Sequence, residues 1–204
     1  METDSKYFTR DYISFFEALE QNNSREWFVL NKSRYENDVH GPFNRLVEDL
    51  LEAINFEDPS IDIQANDAVF RIQKDMRFNR DGTPYKLFKS ALISPKGRRQ
   101  RDEPGFYLEI GARYIKIAIG CFKLTKPQMK MLERHIHEIN VFTEDARFKS
   151  TFGALLRTEN SVVFQTIIPV HIIDNVGLNE LFLTYWRMAN PVIKTLRTLL
   201  NKSL

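Results

Sequence analysis

The chain has 204 residues, 43% hydrophobic and 27% charged, enough to bury a core without a staple of any kind. A net charge of +2 excludes a global basic field, so any nucleic-acid reading must rest on local clusters. Cys121 is the only cysteine, which excludes an internal disulfide; with a polar start and no apolar run near ~20 residues, this points to a soluble cytoplasmic protein with no membrane partner.

The first third reads as helical. Ile13, Phe16, Ala18 and Leu19 suit a short helix that stops at Gln21-Asn22-Asn23. Ser24 caps a second helix, SREWFVLNKSRYENDVH, with Glu26 near its positive end. Gly41-Pro42 breaks and restarts the chain. Phe43, Leu46, Val47, Leu50, Leu51 and Ile54 then recur at helical spacing.

The middle third changes period to two. In FRIQKDMRF, Phe70, Ile72, Met76 and Phe78 fall on one face of a strand, and Arg71, Gln73, Asp75 and Arg77 on the other. Lys74 interrupts the apolar side. Asp81-Gly82 and Thr83-Pro84 are turn material. KSALIS suits a strand and PKGRRQRDEPG a loop. FYLEI and YIKIAIGCF both alternate, and the short Gly111-Ala112-Arg113 link makes them a hairpin.

Thr125 and Gln128 form a capping box for the next helix, with Leu124 and Met129 as its staple. TEDARFKSTFG suits a short helix and SVVFQTII another strand. Asn190-Pro191 opens a last helix with Val192, Leu196, Leu199 and Leu200 on one face. The sum is a single α+β domain over residues 1–204, with a mainly antiparallel sheet of about five strands. Helices flank it from the N-terminal part (about 10–56) and the C-terminal part, around a strand-rich middle of about 68–122.

Across Arg71-Ile72, Asp75, Arg77-Phe78, Asp81 and Thr83-Pro84-Tyr85-Lys86 the chain resembles a known family, domain of unknown function 2461. NNSREWFVLNKSRYENDVHGPF, PGFYLEI and DARFKSTFG extend the resemblance over roughly residues 8 to 157. It implies no activity, substrate or cofactor, so it transfers no catalytic role. Lys74 stands where the family usually has Arg, Gly82 where it often has Lys, and Phe88 where it often has His. Gly120 is alone where a glycine cluster is usual.

The charged side of residues 70–86 is the best candidate site. Arg71, Asp75 and Arg77 would share a sheet face with Tyr107, Glu109 and Lys116, above space left by Ala118 and Gly120. Arg71 and Arg77 would bind a small anion, phosphorylated or not, and Asp75 would orient them; Asp81, Thr83, Tyr85 and Lys86 would form the rim. The alternative is a solvated sheet face with Arg–Asp pairs. An enzyme at the same place would use Asp75 or Glu109 as acid or base. A third reading is a nucleic-acid or protein interaction module built on the basic run Lys96, Arg98, Arg99 and Arg101, which Asp102 and Glu103 partly cancel. His135 and His137 have the wrong spacing for a helical ligand pair, so no metal is expected. Cys121 reads as a small core residue. The cofactor is left unknown.

Overall fold

The computed structural model describes residues 7–77, 81–174 and 177–201. Its α+β architecture is a five-stranded antiparallel sheet with helices packed on one face. The strands are β1 (Phe88–Ile93), β2 (Gly105–Gly111), β3 (Tyr114–Cys121), β4 (Leu156–Arg157) and β5 (Val162–Pro169), in the order β1-β2-β3-β5-β4.

Three helices build the packed layer. In α1 (Arg10–Gln21) Thr9 caps the start, and Tyr12, Phe15, Phe16 and Leu19 are buried. In α4 (Gly41–Glu57) all six residues of the predicted apolar stripe are buried. In α9 (Leu178–Asn201) the stripe runs from Phe182 to Leu200. These meet Ala91, Ile93, Phe106, Leu108, Ile110, Ile115, Ile117 and Ile119 from the sheet in one continuous core.

Shorter helices complete the chain: α2 (Arg25–Leu30), α3 (Lys32–Tyr35), α5 (Ala65–Ala68), α6 (Lys126–Arg134), α7 (Ile136–Asn140) and α8 (Ala146–Phe152). Ser24 caps α2 through the Trp27 N–H, and Thr125 and Gln128 close the expected box on α6. Among the described residues no helix is long and apolar enough to cross a membrane.

Three expectations are corrected. Gly41-Pro42 does not break the chain: a π-turn over Glu36–His40 runs straight into α4, with the Gly41 N–H donating to the Glu36 carbonyl. Pro42 falls in the first helical turn, where its missing N–H costs nothing. Pro191 does not open the last helix but lies inside α9. Buried residues on both sides of it, Trp186 and Ala189 before and Val192 and Ile193 after, hold the helix through an interruption that costs about 3 kcal/mol in isolation.

The third correction concerns residues 70–78. They are not a regular strand. Val69 bridges Ala91 and Gln73 bridges Tyr85, and the two bridges differ in register by two residues. Three residues, Leu87 to Lys89, stand opposite Arg71 between the Phe70–Ser90 and Lys86–Ile72 hydrogen bonds, and this bulge interrupts the ladder. Ile72 stays buried, Phe70 turns to the opposite side, and Met76 is exposed. Phe78 lies outside the described residues. The fifth strand is instead β4, two residues long and too short to show any periodicity.

Candidate functional site

The face of the sheet away from the helices carries the alternate residues of each strand. Register sets Ser90 beside Glu109, Glu109 beside Lys116, Leu92 beside Tyr107, and Tyr107 beside Ala118 and then Gln165. This face is open over a cavity of about 350 Å³. Ser90, Tyr107, Lys116, Ala118 and Gln165 form its floor, and Phe70, Lys86, Arg101 and Phe122 its walls. The sequence placed Tyr107, Glu109, Lys116 and Ala118 on one face correctly, with Ala118 leaving space. Gly120 has another role: at φ 131° a Cβ there would lie 2.2 Å from the Val162 carbonyl oxygen, so it permits close approach of β3 and β5.

Among the described residues three cations and no carboxylate line this cavity. The Lys86 ammonium donates to the Arg71 carbonyl at 3.2 Å and lies 5.4 Å from the centroid of Phe70 and 5.8 Å from that of Phe88. The Arg101 guanidinium carbon lies 5.2 Å from the Phe70 centroid. The Arg101 carbonyl accepts from the N–H groups of Phe122 and Lys123, which ties the loop to the end of β3. Among the described residues Lys86, Arg101 and Lys116 have no ion-pair partner within 4.0 Å. Burial and then the charge of Arg101 push the Lys86 pKa down.

Glu109 is 6% exposed. Its two carboxylate oxygens accept from the hydroxyls of Tyr107 and Tyr114, each at 2.6 Å. Burial and the Glu109 charge raise the Tyr107 pKa; burial and the hydrogen bond to Glu109 push that of Tyr114 up to about 12. Both phenols are therefore neutral donors at physiological pH. They orient the carboxylate on the same sheet face, where Glu109 pairs in register with Lys116.

Of the predicted ligand-binding residues, only Lys86 lines this cavity. Arg71 is exposed and offers its carbonyl to Lys86. Asp75 and Arg77 form a bidentate pair at 3.0 and 2.7 Å on an exposed turn, which holds the Asp75 pKa down at about 2. Asp81 accepts from the Lys74 ammonium at 2.8 Å and from the N–H and hydroxyl of Thr83. These hydrogen bonds, that from Lys74 foremost, depress the Asp81 pKa. Tyr85 is buried, with its ring stacked on Phe28 at 4.1 Å, so it packs rather than rims.

The basic run divides. Arg98 donates to the Asn66 carbonyl at 3.2 Å and Arg99 pairs with Asp67 at 3.0 Å, both at α5. Gly97, at φ 56°, lets the loop press against the Asp67 carbonyl. Only Arg101 of the run reaches the cavity. Sequence reasoning assigned Arg101 to the loop and Phe70 to the core, so it missed both walls. Cys121 is buried, and burial raises its thiol pKa. Among the described residues no group of three or more His, Cys, Asp or Glu could hold a metal ion.

The model of the family described as "Conserved hypothetical protein (DUF2461)" matches residues 11–166. No curated protein matches the chain significantly.

Proposed function

The chain belongs to the DUF2461 family of conserved hypothetical proteins, and we propose that it binds a small organic anion on the open face of its sheet. One observation carries this reading: Lys86 and Arg101 are held over the cavity by the ring of Phe70, not by a carboxylate. An aromatic ring positions a cation without neutralising it. Two like charges kept close repel each other, and a bound anion relieves that repulsion. Lys116 adds a third charge from the floor, and Ser90, Tyr107 and Gln165 offer further polar groups. Arg71 borders this arrangement through its carbonyl, while Asp75, Arg77, Asp81 and Thr83 stabilise the turn beside it.

Calorimetric titration with inorganic phosphate, acetate and benzoate tests the reading. At least one should bind, more weakly as ionic strength rises. Arg101→Gln and Lys116→Gln should each weaken that binding about tenfold or more, with melting temperature nearly unchanged. Silence for every anion, or equal binding by both variants, would overturn it. Acid–base turnover at the same place is a second reading, favoured by the buried Glu109 between two phenols. Product formed from a bound acid, lost in Glu109→Gln while binding persists, would favour that second reading. Asp75, exposed and ionised above pH of about 2, could serve only as a base.

A further inference from the structure

The cavity does not end at Lys86 and Phe88. A second cavity of about 310 Å³ opens beside it and shares both residues. The two differ in electrostatic state. In the second, Arg113 is paired with Glu20 at 2.6 Å, Lys74 with Asp81 at 2.8 Å, and the Tyr114 hydroxyl donates to Glu109. Its charged groups other than the shared Lys86 already have partners. What it offers besides them is apolar: Phe16, Leu87, Ala112 and the ring of Phe88. Apart from the shared Lys86, the first cavity thus carries cations without an ion-pair partner and the second does not, with the ring of Phe88 common to both.

We infer that the ligand is an amphipathic anion, an alkyl or acyl acid. Its acidic head would be held by Lys86, Arg101 and Lys116, and its apolar chain would cross Phe88 to rest on Phe16, Leu87 and Ala112. This rests on the anion-binding reading and specifies its substrate class. A compact anion would leave the second cavity unused. A nucleotide would set sugar hydroxyls against apolar walls, where lost hydrogen bonds to water go unreplaced. An alkyl chain meets no such penalty, and each buried methylene adds to affinity.

The test is a titration of the purified full chain with acetate, butyrate, hexanoate and octanoate below their micelle concentrations. Affinity should rise roughly threefold to fourfold for each methylene added until the second cavity is filled. Ala112→Phe, which fills that cavity, should abolish the rise and leave acetate binding unchanged. Leu87→Asn, which sets a neutral polar group where the chain would rest, should do the same and covers the case in which Ala112→Phe fails to fold. Acetate binding without a chain-length gradient overturns this inference and leaves the anion reading intact. Equal gradients in wild type and both folded variants also overturn it. Failure of every acid, with inorganic phosphate failing too, overturns both.

Discussion

Lys89 is the residue whose environment departs most from its chemistry. It is 1% exposed and lies on the helix side of β1. Its ammonium donates to the Phe70 carbonyl at 3.0 Å and lies 5.8 Å from the ring centroids of both Tyr35 and Phe43. Among the described residues no carboxylate lies within ion-pair distance of it. Burial, and then the charge of Lys86, lower its pKa to about 8. Between that value and the ordinary lysine value near 10.4 the unfolded chain binds more protons than the folded one. Stability should therefore rise with pH from about 8 towards 10, by up to 2–4 kcal/mol in order of magnitude. Above about pH 10 the buried phenols of Tyr12 and Tyr35, whose pKa values burial raises, reverse the slope. Chemical denaturation across pH 7–10.5 measures this. Lys89→Met should unfold at an equal or higher midpoint at pH 7 and lose most of the rise; a full rise in that variant would assign it to other groups.

At the scale of elements, the arm from Val69 to Lys86 depends on a side chain from the helical layer. The Asn23 amide donates to the Tyr85 carbonyl and accepts from the Tyr85 N–H, both at 3.0 Å, as a neighbouring strand would. Together with the stack of Tyr85 on Phe28, this latches the arm to the α1–α2 corner. Asn23→Ala leaves both backbone groups of Tyr85 unpaired and should cost about 1–3 kcal/mol. Asn23→Asp keeps the acceptor and loses the donor, so its melting temperature should fall between the two. A silent Asn23→Ala would mean that water replaces the amide.

Elements with a strong period were legible in the sequence: α1, α4, β2 and β3 each needed only their own apolar spacing. The arm was not, because the bulge opposite Arg71 breaks the alternation and leaves Phe70 at the cavity while Ile72 stays buried, and nothing in their apolar character marks the difference. Pro191 misled for a related reason. A proline signals a helix start locally, and only the burial of Trp186 and Val192 on either side overrides it. The candidate site was half legible: alternation placed Tyr107, Glu109, Lys116 and Ala118 together, but Arg101 enters from a loop whose course no periodicity encodes.

For the whole molecule, the question is whether the N-terminal helices and the sheet with α9 behave as one unit. The buried core runs without a gap from Phe8 through α1 and α4 to β2, β3 and α9. Trp27 packs on Phe15 at 5.7 Å near the N-terminal end, and Trp186 packs edge-on against Phe106 at 5.9 Å beneath the sheet. A continuous core couples these two regions, since opening one exposes apolar surface of the other. Thermal unfolding should therefore be a single transition. Trp27→Phe leaves fluorescence to report on α9 and the sheet, and Trp186→Phe leaves it to report on the first helices. In each variant the fluorescence midpoint should coincide with the far-ultraviolet dichroism midpoint of that same variant. A fluorescence transition preceding the loss of helix in the Trp186→Phe variant would instead mark the N-terminal helices as a separate cooperative unit. The binding face would then inherit that weakness, because the Asn23 latch holds the arm that carries Phe70 and Lys86. Ligand binding should in that case raise the first transition alone, whereas in a single cooperative unit it raises both signals together.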